Sequence, residues 1–360
     1  MKDDVFYMKL AIANAKAMKG QTSPNPLVGA VIAKKGEIVG IGAHMKAGEP
    51  HAEIHALQMA GEKAKGAHLY VTLEPCSYHG KTGPCSEAII KSGVKRVVIA
   101  TGDPNPLVAG KGVTMLKQAG IEVEEGICKR EADSLNLPFF HSIQSDLPYV
   151  ILKTAISLDG KIATAHQESK WITGTEARKE VQQLRQEADA VITGVDTIIQ
   201  DDAGLIVKDS IVTQPIRVIL DSTLRIPLHA KCLNDHMAET IICTSNKYDQ
   251  KKYHQLMQKG HQVFVTSGEN RTDLHAVLRM LKKRSVMSVL VEAGGSVSAS
   301  FLEASLVNEV IIYMAPLLIG GKDAPTFFEG EGTKTLKEAI RPIDMDYRMV
   351  GKDLKMTMIL

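Results

Sequence analysis

The chain has 360 residues, 44% of them hydrophobic and 23% charged, which predicts a soluble globular protein of two or more domains at about 150 residues each. A formal net charge of +2 and the absence of a long basic run weigh against a nucleic-acid partner. No apolar run has the roughly 18 residues of a membrane span, and Met1-Lys2-Asp3-Asp4 lacks a signal-peptide core. The expectation is a cytoplasmic protein with no membrane contact.

In chain order, Asp3 and Asp4 can cap a helix through Val5, Met8, Ile12 and Ala15, with a stop at Gly20. A Ser23–Pro26 loop follows. Residues 28–33 and 37–43 read as two strands joined at Lys34-Lys35-Gly36, a hairpin. His51 enters a helix over 52–60, and residues 68–73 read as a buried strand. Pro84 puts Cys85 in the first turn of the next helix. Strand 96–101, helix 113–119 and strand 121–125 continue the alternation, so a three-layer α/β unit with a mixed or parallel sheet is expected. Residues 129–144 read as a connecting helix interrupted at Pro138, and Ser145-Asp146-Leu147-Pro148 as a domain boundary.

Within that first unit, His51, Cys76 and Cys85 offer one imidazole and two thiolates, a borderline-soft set that suits one zinc ion per chain. Three protein ligands leave a fourth position open for a water that the metal acidifies. Glu53, two residues after His51, is the natural proton shuttle. A closed structural site would need a fourth protein ligand, for which His79 is the candidate; the adjacent Glu53 favours the open, catalytic form. Cys128, Cys232 and Cys243 have no spacing partner and read as reduced thiols.

The second half alternates again. Strands are expected at 149–156, 190–194, 216–221, 240–244, 262–266, 287–292 and 310–315, helices at 175–188 and 273–283, and a closing hairpin in the last fifteen residues. No Gly-x-Gly-x-x-Gly fingerprint occurs, so a Rossmann dinucleotide site is not supported. Three stretches carry polar chemistry: Lys153 to Ala163, Trp171-Ile172-Thr173-Gly174 with the following Arg178, Arg185 and Asp201-Asp202, and Glu292-Ala293-Gly294-Gly295-Ser296. The last lies between a strand and a helix, where backbone N–H groups can hold phosphate.

The runs Ser23-Pro24-Asn25-Pro26-Leu27-Val28-Gly29, His51-Ala52-Glu53, Thr72-Leu73-Glu74-Pro75-Cys76 and Gly80-Lys81-Thr82 resemble the bifunctional riboflavin-biosynthesis deaminase–reductase family. The polar stretches of the second half are similar to its reductase part. The resemblance implies a cytidine-deaminase-like domain over 1–146 and a dihydrofolate-reductase-like α/β domain over 147–360. It implies zinc-dependent deamination of a diaminopyrimidinone ribosylamine phosphate, then reduction of its ribosyl group to ribityl with NADPH. Asn25, His44, His79 and Lys81 would contact the deaminase substrate. Thr173, Asp201, Gly294 and Gly295 would lie along NADPH, and Lys153, Ser157, Arg185, Lys208 and Glu292 toward the reductase substrate. A homo-oligomer is expected.

The chain departs from the family pattern at Tyr78-His79, where the histidine is displaced by one; at Gln182, where the family has His; at Ala203–Lys208, where the family has Pro and Arg; and at Ala293. An alternative reading follows, in which the second half is a degenerate binding or oligomerisation module beside an active deaminase.

Overall fold

The computed structural model describes residues 3–78, 83–106, 108–208 and 213–360. It divides into two compact units, Met1–Ser145 and Asp146–Leu360.

In the first unit the described residues form a sheet of β1 (Gly29–Lys34), β2 (Glu37–Ala43), β3 (His68–Leu73), β4 (Arg96–Thr101) and β5 (Glu122–Glu125), in the order β2-β1-β3-β4-β5. β1 runs antiparallel to β2 and β3, whereas β3, β4 and β5 are parallel. Alternate residues of each strand face opposite layers, as the two-residue period of a strand requires. Ile32, Leu69, Val71, Val97 and Ile99 pack with Ala52, Ala56, Ile89 and Leu116 of helices Ala52–Ala60, Cys85–Ser92 and Lys111–Gln118. Val31, Tyr70 and Val98 pack on the other side with Tyr7, Met8, Ala11 and Ala132, from helices Asp4–Lys16 and Lys129–Leu135. The expected three layers are present.

Glycine sets how closely one of those helices approaches. A Cβ at Gly40 would lie 2.2 Å from the Ala56 carbonyl oxygen, and one at Gly42 would lie 2.0 Å from that of Ala52. Two glycines on β2 facing alanines at 52, 56 and 60 therefore let the helix that carries His51 and Glu53 rest directly on strand backbone.

Two boundaries differ from expectation. The first helix ends at Lys16, and Gly20 closes a following turn at φ +78°. The connecting helix breaks at Asn136 rather than Pro138, giving Lys129–Leu135 and Leu137–Gln144. Pro138 fits the first turn of the second helix, where its missing N–H costs nothing. Asn136 is the true interruption because its side chain accepts from Leu27 N–H at 2.8 Å and donates to Leu27 O at 2.9 Å.

The second unit is one sheet of β6 (Tyr149–Ser157), β7 (Ala190–Gly194), β8 (Ile216–Leu220), β9 (Thr240–Thr244), β10 (Gln262–Val265), β11 (Ser288–Val291), β12 (Glu309–Ala315), β13 (Asp344–Val350) and β14 (Asp353–Ile359) among the described residues. The order is β10-β9-β8-β7-β11-β6-β12-β14-β13. All neighbours are parallel except the closing pairs β12–β14 and β13–β14. Helix Thr175–Glu187 follows the Trp171–Gly174 loop, and helix Gly295–Glu303 starts immediately after Gly294. β6 and β7 flank β11, with Val291 level with Leu152 and Ile192, and β6 runs on past that level to Ser157; the C-terminal ends of these parallel strands border the crevice where open parallel sheets take their ligands.

Candidate active sites

In the first unit, His51 is the residue that caps helix Ala52–Ala60, and Cys85 is the first residue of helix Cys85–Ser92. Cys76 lies three residues beyond the end of β3. Fold and capping thus bring two helix N-termini and one strand end together, and helix dipoles favour thiolate there. His51 Nδ1 lies 3.2 Å from Cys85 Sγ and 3.6 Å from Cys76 Sγ. Tetrahedral zinc with bonds of about 2.0–2.1 Å to nitrogen and 2.3 Å to sulfur places such donors about 3.5 Å apart. The three donor atoms all lie within 4.8 Å of one another, so the set fits the metal. The Cys85 thiol, hydrogen-bonded to Cys76, and then the His51 ring hold the Cys76 thiol well below its ordinary value.

Glu53 points into the same place from the first turn of the His51 helix. It is only 3% exposed, and its Oε2 is buried with no hydrogen-bond partner among the described residues. Burial pushes its carboxyl up to about 7. A carboxylate so poised near neutrality can both take and return a proton.

Asn25 Nδ2 lies 3.0 Å from His44 Nε2, and His44 Nδ1 lies 3.3 Å from the Pro50 carbonyl. The His44 ring meets the His51 ring edge-on at 5.3 Å. Burial lowers the His44 pKa, which keeps the ring neutral. His79 and Lys81 lie outside the described residues; Tyr78 is described and is exposed.

Sequence reasoning passed over Glu74. Its carboxylate is 5% exposed and accepts from the backbone N–H groups of Gly110 and Gly112, each at 3.0 Å, and of Val113 at 3.3 Å and Asp103 at 3.4 Å. A buried carboxylate is stable only when so paired. It ties the residues just before Cys76 to the 103–113 segment. The signal was present as an acidic residue at the end of an otherwise apolar strand.

In the second unit Glu292, just past β11, collects the charges. Arg185 Nε donates to its Oε1 at 2.6 Å and Arg185 Nη2 to its Oε2 at 3.1 Å, while Lys153 Nζ lies 3.5 Å from Oε2. Burial pushes the Glu292 carboxyl up, but Arg185 and then Lys153 more than offset it and hold it below its ordinary value. Gly294 is exposed at the N-cap of helix Gly295–Glu303, whereas a Cβ at Gly295 would lie 2.3 Å from the Thr326 carbonyl oxygen. Thr173 is buried, and its carbonyl accepts from Arg178, whose guanidinium stacks over Trp171 at 4.6 Å. Asp201 pairs with Lys170 at 2.8 Å.

Ser157 and Lys208 stand apart from the Glu292 group. Ser157 is fully buried, and its hydroxyl donates to Asp159 and accepts from Lys161 N–H, so it serves its own turn. Lys208 is exposed, and its backbone N–H donates to Gln182 Oε1 at 3.1 Å. Two of the departures from the family pattern are therefore partners of each other.

Residues 1–101 match the cytidine and deoxycytidylate deaminase zinc-binding region, and residues 148–355 match the RibD C-terminal domain. The riboflavin biosynthesis protein RibD of Bacillus amyloliquefaciens is 48% identical, covering 98% of this chain and 95% of its own. That of Escherichia coli K12 is 41% identical, with 98% of both chains covered. The chain belongs to the RibD family. Among solved structures, Acinetobacter baumannii RibD superposes with a TM-score of 0.86 at 43% identity, covering 99% of this chain and 98% of its own. A Thermotoga maritima diaminohydroxyphosphoribosylaminopyrimidine deaminase/5-amino-6-(5-phosphoribosylamino)uracil reductase does so at 0.85 and 33%, with the same coverage. The RibD family is bifunctional, and this chain is a zinc-dependent deaminase and an NADPH-dependent reductase of riboflavin biosynthesis. Nothing favours the alternative of a degenerate second half. Among the described residues no helix is long and apolar enough to cross a membrane.

Proposed function

We propose that residues 1–146 form the deaminase and residues 147–360 the reductase, acting in turn on a diaminopyrimidinone ribosylamine phosphate in the cytoplasm. His51, Cys76 and Cys85 hold one zinc per chain. Bound zinc lowers the pKa of a water toward neutrality. Glu53 takes a proton at Oε2 and delivers it to the departing ring amino group, so that water enters and ammonia leaves. Asn25 and His44, already hydrogen-bonded together, orient the pyrimidine ring, with Lys81 near the phosphate and His79 a further substrate contact.

In the reductase, NADPH supplies the hydride, and the chain supplies position. Thr173, Asp201, Gly294 and Gly295 line the nicotinamide cofactor. Glu292 holds Lys153 and Arg185 at the crevice, where their charges face the substrate phosphate. Ser157 shapes the end of β6, and Lys208 is the more distant phosphate candidate. The chain assembles as a homo-oligomer.

The observation that carries the deaminase assignment is the buried Glu53 carboxylate, its Oε2 without a hydrogen-bond partner among the described residues, beside a His-Cys-Cys donor set. Glu53→Gln keeps size and polarity but removes the proton acceptor. Zinc content should stay at wild-type level while ammonia release falls by roughly a hundredfold or more, the scale of general acid–base catalysis. Near-wild-type ammonia release would end the proposed role.

A further inference from the structure

Helix Thr175–Glu187 starts without the groups that usually close a helix. Its N-cap is Gly174, which has no side chain to offer the first turn. In a capping box the third helical residue reaches back to the N-cap N–H. Here that residue is Ala177, which cannot. The acceptor comes instead from 179 residues away: Gly174 N–H donates to Asp353 Oδ2 at 2.7 Å.

Asp353 opens β14, and sheet register brings it to that place. Leu354, next to it, pairs with Met314 of β12, and Met314 pairs with Ile156 of β6. The start of the antiparallel β14 therefore lies at the C-terminal ends of the parallel strands, on the side of the crevice. Two glycines allow the close approach. A Cβ at Gly174 would lie 3.3 Å from Asp353 Oδ2, and one at Gly351, at φ +59°, would lie 2.9 Å from Glu176 Oε2. The turn of the closing hairpin thus rests on the helix start.

A carboxylate in that position carries a cost. Asp353 is fully buried, and its Oδ1 has no hydrogen-bond partner among the described residues. Burying an unmet oxygen is unfavourable, and the positive end of the helix dipole offsets it in part. An apolar residue there would avoid the cost. What the carboxylate adds is a fixed position for Gly174. From within the loop, Arg178 Nη1 donates to Thr173 O at 2.6 Å and Nη2 to the Thr175 hydroxyl at 3.2 Å, with the guanidinium over Trp171. Those contacts bind the loop to its own helix, and the Asp353 bond carries both onto the sheet.

We infer that Asp353 is a positioning residue for the reductase: by accepting from Gly174 N–H it fixes the Trp171–Gly174 loop on the sheet, so that Thr173 is held where NADPH lies. This rests on the reading that Thr173 lines NADPH, and experiment can separate the two. Trp171 is the only tryptophan in the chain, so its fluorescence anisotropy in the full-length protein reports on the loop. NADPH titration reports binding, and circular dichroism verifies the fold. Asp353→Ala removes the acceptor. It should lower the Trp171 anisotropy and raise the NADPH dissociation constant about fivefold, the scale of one lost helix cap. Asp353→Asn keeps an acceptor oxygen for Gly174 and should restore both readings to near wild type. Ammonia release should be unchanged in both variants. If the alanine variant does not fold, Asp353→Ser, whose side chain falls short of the Gly174 N–H, carries the same expectation. Wild-type anisotropy in the folded alanine or serine variant would overturn the positioning role while leaving the NADPH reading intact. Lowered anisotropy with unchanged NADPH affinity would overturn the reading that this loop lines NADPH, and the inference with it.

Discussion

At the scale of single residues, the donor set is legible in the sequence because chemistry restricts it: few side chains bind zinc, and their spacing on helix starts is conspicuous. Cys76→Ser and Cys85→Ser should each lose bound zinc, measured by metal analysis of the purified protein; full retention in both would remove the assignment. The reductase cluster was only partly legible. Lys153, Arg185 and Glu292 were singled out, but their mutual pairing was not, because residues 107 and 139 apart in the chain meet only through the sheet. Glu292→Gln should destabilise the second unit by about 3–5 kcal/mol, the cost of leaving buried charge unpaired, measured by calorimetric unfolding. The pH dependence has a definite sign. Glu292 is held below its ordinary value in the fold, so its stabilisation is present above the carboxylate pKa of the unfolded chain, about 4.3, and is lost as pH falls through the folded value. The Gln variant should lack that acid-sensitive part.

At the scale of elements, strand and helix positions follow from periodicity, and several boundaries agree with the structure, such as 52–60, 68–73 and 96–101. What periodicity does not carry is how near two elements come. Gly40 and Gly42 read as ordinary residues of a hairpin strand, yet they set the height of the His51 helix above β2. Gly42→Ala would drive a methyl into the Ala52 carbonyl at 2.0 Å, one residue from His51. The helix must lift, at a cost of about 1–3 kcal/mol for overpacking. The expected result is a lower unfolding temperature together with weaker zinc retention during chelator challenge. Lower stability with zinc affinity unchanged would mean that the helix start moves independently of its middle. The break at Asn136 was missed for a similar reason: proline is visible in a sequence, whereas a side chain bonded to Leu27, more than a hundred residues away, is not.

At the scale of the whole molecule, two chemistries are carried by two compact units, and each holds its polar residues on its own sheet. Glu53, His51, Cys76 and Cys85 all precede residue 145, while Lys153, Arg185 and Glu292 all follow it. The Glu292 cluster draws each of its charge partners from the second unit, and the His51 group draws each of its donors from the first. We predict that the chemistry of each unit proceeds independently of the other. Glu53→Gln, defective in ammonia release, should still oxidise NADPH at the wild-type rate when given substrate deaminated beforehand. Conversely, Arg185→Ala should slow NADPH oxidation through loss of a bidentate grip and leave ammonia release unchanged. Initial rates of both half-reactions on both variants decide the matter, because each variant serves as the other's control for folding and concentration. If Glu53→Gln slowed reduction of the pre-deaminated substrate as much as it slows deamination, the two sites would be coupled, and the division at residue 146 would describe the fold without describing the catalysis.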